Sequence, residues 1–551
     1  MRRFSEIWCC DILRNLISGE NPIPEVVDFR EIKSGKSFKY EAALSLYGDI
    51  QFSEHSCLVL FDGTSKINCL MQLGIRLPEC VIDLYAEFKA AHNDNNPDAR
   101  YDLATALNYY NVRTATSGIV EMADMKLEWL RQTSISDIVL LTQAMLDSID
   151  VDRALIRGRY SKALAVVESN GVPLDFHFLR KLRSQWDDIK SDIIADIDAH
   201  YGVYDHQNLN PAKFETWLVK NQISWPRSEK KELRLDVDTF REMAKIYPKI
   251  YLLKELQVTL AKMRLEKITV GSDGRNRCSL VPFKSRTSRN QPSTSKFIFG
   301  PSVWMRGLIK PKPGMGVAHI DYSQQEFAIA AVLSSDKNMQ QAYRSGDPYL
   351  EFAKMAGVVP PDATKTSHRE ERELFKQCVL GVQYGMGIKS LAQSAGVISE
   401  EARMLMRYHK RVFADFWAWS DEIVNKALRD KFLSSRLGWR INIKQEYFNE
   451  RSIRNFYMQA NGAEILRLSI IMGVEKGIKI CAPIHDALLI ESPVDRLEAD
   501  TESMKMCMVE AGRQILDDFE LRVDDGKVCF PDRYQDDRGI EMWRIVNGYL
   551  N

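Results

Sequence analysis

The sequence predicts a multidomain α+β protein, and three observations carry that reading. The chain has 551 residues, 45% of them hydrophobic, which is enough for two to four domains with real cores. Residues 1 to about 150 alternate short apolar runs with helical patterns, as a mixed α/β region does, whereas 152–201 and 236–268 read as strongly helical. Beyond 268 strand-like runs return, and two of them end on isolated aspartates.

Composition narrows the function classes only a little. Lys+Arg and Asp+Glu are equal at 75 each, so the overall charge does not announce nucleic acid. Ten cysteines are scattered, including adjacent Cys9 and Cys10, without a CxxC pair or a His spacing suited to zinc. They read as reduced thiols. The start, MRRFSEIWCCDILRNL, lacks an apolar stretch of signal-peptide length, and no run approaches roughly 18 apolar residues. The expectation is therefore a cytoplasmic protein without a membrane partner. No internal repeat or low-complexity tract is visible.

In chain order, residues 56–61 (SCLVLF) and 80–84 (CVIDL) predict buried strands and 101–110 a helix. Residues 152–201 predict long antiparallel helices interrupted at Asn170-Gly171-Val172-Pro173, and 236–268 a helical pair hinged near Tyr247-Pro248. A charge shift follows. Between 262 and 312 stand Lys262, Arg264, Lys267, Arg275, Arg277, Lys284, Arg286, Arg289, Lys296, Arg306, Lys310 and Lys312, against Glu266 and Asp273 alone. Such a strip, interleaved with Ser, Thr, Asn and Gln, suits a phosphate track; a solvated basic loop has the same composition.

Immediately after it, the apolar run 317–320 stops at Asp321, which is how an α/β scaffold presents one carboxylate rigidly. An isolated Asp there could equally cap the next helix. Arg372, Lys376, Leu380 and Tyr384 recur every four residues, so one helix face would carry two cations, an apolar residue and an aromatic. This row can grip phosphates at one end and stack on a base at the other. The helix should stop in the glycines of Tyr384-Gly385-Met386-Gly387. Two β-like runs flank His485-Asp486, predicting a hairpin with a carboxylate at its tip. Two carboxylates from separate strands can hold a pair of Mg²⁺ ions roughly 3.5–4 Å apart, the arrangement used in phosphoryl transfer.

The order DYSQQE (321–326), R-x-x-x-K-x-x-x-L-G-x-x-Y-G (372–385) and IHDA (484–487) resembles the three polymerase motifs of the family A DNA polymerases. Residues 450–465, with Glu450, Arg451, Asn455, Met458, Gln459 and Ala463, are similar to that family's E-R-x-x-x-N-x-x-M-Q-x-x-x-A segment. Thr287-Ser288-Arg289-Asn290-Gln291 looks like a shortened form of its T-G-R segment. The match runs in the family's order over about 265 to 495.

The resemblance implies a right-hand polymerase of palm, fingers and thumb, preceded by an RNase H-like α/β domain of 3′–5′ exonuclease type. It implies that Asp321 and Asp486 ligate two Mg²⁺ ions, with Mn²⁺ as a substitute, and that the Tyr322 carbonyl completes the site. Arg372 and catalytic Lys376 would hold the incoming dNTP's phosphates. Leu380, Tyr384, Gln325 and Tyr349 would line the nucleotide site, and Glu326 would crowd a ribose 2′-OH. Arg289, Asn290, Gln291, Arg451, Asn455, Gln459 and His485 would contact primer-template DNA. Leu380 departs from the family's frequent aromatic, Ala487 from the Glu that often follows HD, and Tyr349 from a frequent His. The expected domains are 1–151 exonuclease-like, 152–268 thumb, and 269–551 palm and fingers, with fingers near 337–430.

In the N-terminal domain the resemblance is incomplete. Asp11 remains of a D-x-E pair whose Glu is Leu13; the second acid aligns with Lys66, near Asp62; Asp137 is kept, but the Tyr expected before it is Thr133. The implied reading is a domain without proofreading that serves as scaffold or single-strand surface. Two other classes stay open: a single-subunit RNA polymerase, which would lack the Glu326 gate, and a non-catalytic nucleic-acid-binding relative.

Overall fold

The structure, a computed structural model, describes residues 3–41, 51–112, 134–228, 230–262 and 265–550. Thr133 lies outside them. The chain begins with five strands, β1 (Glu6–Asn15), β2 (Ile23–Glu31), β3 (Ser37–Glu41), β4 (Ser56–Leu60) and β5 (Cys80–Asp83). They form one sheet in the order β3-β2-β1-β4-β5. The β1–β2 and β2–β3 pairs are antiparallel, whereas β1–β4 and β4–β5 are parallel. Parallel neighbours need a crossover, supplied between β4 and β5 by α1 (Gly63–Gln72). Every residue of β4 is buried, as expected of a strand covered on both faces. Helices α2 (Leu84–His92), α3 (Leu103–Tyr109) and α4 (Ile135–Met145) complete this region.

The predicted helical block divides into two structural roles. Its first helix, α5 (Val151–Asn170), starts at the Asp150 cap and lies against the N-terminal sheet. Gly158 makes that contact possible, because a Cβ there would stand 1.8 Å from the Val81 carbonyl oxygen. The remaining helices, α6 (Phe176–Ser184), α7 (Trp186–Asp198), α8 (Pro211–Lys220), α9 (Val237–Ile246) and α10 (Tyr251–Lys262), cluster separately. Phe214, Trp225 and Phe240 pack among them with centroids 4.9 to 5.5 Å apart. A 3₁₀ turn at Pro248–Ile250 forms the hinge between α9 and α10. Short ribbons, β6 (Val172–Pro173) with β9 (Arg275–Asn276) and β7 (Tyr204–Asp205) with β8 (Asn208–Leu209), trim the cluster.

After it come β10 (Met315–Tyr322), α11 (Gln325–Leu333), α12 (Lys337–Arg344), α13 (Pro348–Met355), α14 (Arg369–Gln383), α15 (Ile388–Ala395), α16 (Ser399–Val412) and α17 (Ala414–Asp430). A ribbon of β11 (Phe432–Ser434) and β12 (Arg440–Asn442) leads into the 26-residue α18 (Glu450–Glu475). The chain closes with β13 (Ile480–Ile484), β14 (Ala487–Pro493), α19 (Leu497–Ile515), β15 (Val523–Cys529) and α20 (Ile540–Gly548). Strands β13-β14-β10-β15, in that order, form an antiparallel sheet. Its central strand is pinned by Tyr322, whose hydroxyl donates to the Met508 carbonyl at 2.6 Å and meets Ser469 at 2.9 Å.

Much of the basic strip is structural. Arg275 pairs with Glu491 at 2.9 Å, Arg277 with Asp273 at 2.6 Å, Arg306 with Asp536 at 2.5 Å and Lys310 with Asp175 at 3.6 Å. Three of those acids lie more than a hundred residues from their partners, out of reach of a local charge count. Lys284, Arg286, Lys296 and Lys312 remain exposed. Among the described residues no helix is long and apolar enough to cross a membrane.

Candidate active site

The antiparallel register builds the acidic centre. Asp321, near the end of β10, stands opposite Ala487 on β14 and Asp524 on β15. Directly opposed residues share a face of the sheet, so the Asp524 side chain is a near neighbour of Asp321. His485, with φ of 56°, and Asp486 form the turn joining β13 to β14, and the Tyr322 amide donates to the Asp486 carbonyl at 3.4 Å. One oxygen of Asp321, Oδ1, is buried without a hydrogen-bond partner. Burial, then the charges of Asp486 and Asp524, push the Asp321 carboxyl up to about 7. Burial also raises Asp486, with the Glu326 carboxylate adding to it.

Sequence reasoning missed Asp524. It sits in Val523-Asp524-Asp525-Gly526, which has the composition of a turn, and only strand pairing brings it beside Asp321. The Ser323 hydroxyl donates to it.

An all-oxygen donor set with crowded carboxylates and a partnerless buried oxygen suits a hard divalent cation. Among the described residues no three His, Cys, Asp or Glu side chains form a ligand cluster alone. A cation held by Asp321 and Asp486 would therefore take further ligands from backbone carbonyl, water or substrate.

Glu326, in the first turn of α11, is the hub beside this centre. It pairs with Arg289, and the Tyr384 hydroxyl donates to its other carboxylate oxygen. Its backbone carbonyl accepts from the Gln383 amide at 3.0 Å. Residues expected to serve the nucleotide and the DNA are thus tied to one carboxylate. Neighbouring Gln325 is buried against Gly462 of α18, with its amide nitrogen unpartnered.

Helix α14 carries the cationic row. Arg372 pairs with Asp347 and with Glu373 at 2.5 Å, and its guanidinium lies 5.6 Å from the buried Tyr349 ring. Lys376 is half exposed and meets Glu373 only at 3.5 Å. Leu380 is exposed, so its side chain offers an apolar surface on the same helix. Tyr384 caps the helix, and the chain turns away through Gly385 at φ +75°, where glycine is unstrained.

The expected DNA contacts lie on α18, at the β13–β14 turn and in the segment before β10. Arg451 on α18 is exposed and donates to the Tyr384 carbonyl at 2.5 Å, linking α18 to the end of α14. Asn455 is buried with its Oδ1 unpartnered, Gln459 is partly exposed, and His485 is exposed at the hairpin tip. Asn290 exchanges hydrogen bonds with Tyr160 of α5 at 2.7 and 2.9 Å, while the Gln291 side chain is exposed.

The N-terminal sheet carries a different arrangement. Asp11 on β1 pairs with Lys66 on α1 at 2.6 Å, and both side chains are buried. Asp137 is also buried and engaged in the capping box of α4, accepting from the Ser134 amide at 3.3 Å. Leu13 is exposed, and Asp62 is an exposed residue at the start of α1 with φ of 55°.

The family model described as DNA polymerase family A matches residues 290–526. DNA polymerase I of Aquifex aeolicus is 24% identical over 458 residues, covering 75% of this chain and 76% of that protein. DNA polymerase I of Mycobacterium tuberculosis is 25% identical over 395 residues, 66% of this chain but 43% of that protein, so this chain spans under half of that relative. The DNA polymerase of Mycobacterium phage D29 is 26% identical over 245 residues, 43% of this chain and 39% of that protein. In fold, the chain matches the POL domain of Pol1 from M. smegmatis, solved with DNA primer-template and dNTP. The TM-score is 0.74 at 18% identity, over 95% of both chains. Residues 290–526 are thus similar to the family A DNA polymerases, and the chain shares the fold of a POL domain.

Proposed function

We propose that the protein extends a primer 3′-hydroxyl with dNTPs on a DNA template, in the cytoplasm of a bacterial or phage-infected cell. The observation that carries this is the paired Asp321 and Asp486, crowded at one sheet end with a partnerless oxygen and neighboured by Glu326, which Tyr384 and Gln383 tie to the end of α14. Asp321, Asp486 and the Tyr322 carbonyl would hold two divalent ions, Mg²⁺ or Mn²⁺. Bound there, the ions would supply Lewis-acid stabilisation of charge developing on the transferred phosphate.

The chain's own residues do the positioning. Arg372 would exchange Asp347 and Glu373 for triphosphate oxygens, a charge-assisted swap of the same geometry. Lys376, weakly paired at 3.5 Å, is free to follow the leaving pyrophosphate. Leu380 and Tyr384 would flank the base, and Glu326 would crowd a 2′-OH. Arg289, Arg451, Asn455 and Gln459 would face the minor-groove edges, whose acceptors are common to all correct pairs. On this reading 269–551 form palm and fingers, 152–268 the thumb, and 1–151 an exonuclease-like domain without proofreading, its second acid site being filled by Lys66.

Primer extension with Mg²⁺ and dNTPs tests it. Asp486→Ala should lower the rate by roughly a thousandfold with the far-UV circular dichroism unchanged. Wild-type protein that extends no primed template, with Mg²⁺ or Mn²⁺, would overturn the reading. Release of nucleotides from a 3′-mismatched primer, abolished by Asp11→Ala, would overturn its N-terminal part.

A further inference from the structure

The segment 284–291 carries Arg289, Asn290 and Gln291, yet it has no regular secondary structure of its own. Its shape comes from what holds its carbonyls. Lys89 of α2 donates its ammonium to the Lys284 carbonyl. Asn93, just beyond α2, donates to the Arg286 carbonyl at 2.9 Å and with the same amide to the Arg440 carbonyl of β12 at 2.8 Å. Trp439 also donates to the Arg286 carbonyl, at 2.9 Å, and Arg467 of α18 donates to Ser288 through its carbonyl at 3.1 Å and its hydroxyl at 2.9 Å. Lys89 is 3% exposed and Asn93 1%.

Two of these anchors belong to the N-terminal domain, and they are themselves fixed. The Asn442 backbone amide donates to the Asn93 carbonyl at 2.8 Å, and its side chain to the same oxygen at 3.0 Å. Asn95 exchanges hydrogen bonds with the Lys444 backbone, each 2.8 Å long, and Asp94 pairs with the Lys444 ammonium at 2.7 Å. The end of α2 is thereby wedged between segment 284–291 and the β11–β12 ribbon. Buried amide-to-carbonyl bonds of this kind are costly to lose, because the abandoned carbonyl finds no water.

We infer that the N-terminal domain is a positioning element of the polymerase site: Lys89 and Asn93 set the backbone of 284–291 and, through it, the reach of Arg289 toward primer-template. The inference rests on the polymerase reading above. It gives the domain a task that does not need the metal site replaced by Asp11 and Lys66. Neither Lys89 nor Asn93 touches substrate; both act through the segment they hold.

The test uses the full chain. Asn93→Asp keeps size and shape but turns a donor to two carbonyls into an acceptor. Its primer-template KM should rise about tenfold, with kcat at saturating DNA within about twofold of wild type. Lys89→Met, which removes the donation to Lys284 and the ammonium's contact with the Tyr101 ring at 4.9 Å, should move KM the same way by less. Asn95→Asp is the control, since it disturbs the same domain contact without touching 284–291, and should leave KM near wild type. If Asn93→Asp fails to fold, Lys89→Met against Asn95→Asp decides. Equal effects of these changes and the control, a change confined to kcat, or an unaltered KM would overturn the inference. A wild-type chain that extends no primer would instead overturn the reading beneath it.

Discussion

Two sheets in this chain each present an aspartate from a central strand, and their surroundings are opposite. Asp11 on β1 meets a buried ammonium, Lys66, at 2.6 Å. Asp321 on β10 meets carboxylates, Asp486 and Asp524, and keeps an oxygen without a partner. The first is electrically complete within the fold. The second is crowded with like charge that proton uptake or a bound metal cation relieves. The same residue type at similar places in two sheets is thus a structural ion pair in one and a candidate reaction centre in the other, and the neighbour's sign decides which.

The largest test of that contrast removes the neighbour. Lys66→Met leaves the buried Asp11 charge without its ammonium and should destabilise the N-terminal region by about 3 kcal/mol. Hydrogen exchange of the β1 amides reads this region apart from the rest of the chain. Adding Asp11→Asn to Lys66→Met should recover most of the loss. The exposed Arg159–Glu475 pair, at 2.7 Å, sets the scale for an ordinary surface contact. Glu475→Gln there should cost under about 1 kcal/mol, and a Lys66→Met effect no larger than that would remove the contrast.

A pH experiment sharpens it further. Glu168, on α5 between the two regions, has its carboxyl raised from 4.5 to about 8, chiefly by burial, while accepting from the Leu280 amide at 2.6 Å. The folded state then keeps a proton that the unfolded chain has released, so this group's contribution to stability falls as pH rises from about 4.5 to about 8. The decline is at most about 1.4 kcal/mol per pH unit. Glu168→Gln retains the acceptor and removes the decline, so urea unfolding at pH 5 and pH 8 should show the variant gaining on wild type only at the higher pH. An equal offset at both would mean that burial does not hold the proton.

How much of this was legible in the sequence follows from range. Asp321, the α14 row and the His485-Asp486 hairpin each lie within one element, where apolar periodicity and a single polar break are informative. The hinge at Tyr247-Pro248 was legible for the same reason. Asp524 was not, because a Val-Asp-Asp-Gly stretch becomes a site wall only through strand register. The basic strip misled in part: Arg275 is claimed by Glu491, more than two hundred residues later, and no local charge count can foresee that. Helix α5 was read as a helix but not as a companion of the N-terminal sheet, since Gly158 gives no sign of the strand it admits.

The smallest effect concerns what stands beside Asp321. Glu326 is balanced by Arg289 and Tyr384, so it combines the two conditions compared above: paired, like Asp11, yet adjacent to the unbalanced centre. If its task is to crowd a 2′-hydroxyl, Glu326→Ala should relax dNTP over NTP discrimination by about tenfold, measured as the ratio of kcat/KM values in primer extension. If its task is only to hold Arg289 and Tyr384, the same change should raise the KM for primer-template and for dNTP while leaving the sugar ratio intact. Glu326→Gln separates the two, because it keeps the bulk and one acceptor but gives up the charge that binds Arg289. Retained discrimination in Glu326→Gln alongside its loss in Glu326→Ala assigns the gate to volume; discrimination intact in both, with KM raised, assigns Glu326 to holding Arg289 and Tyr384.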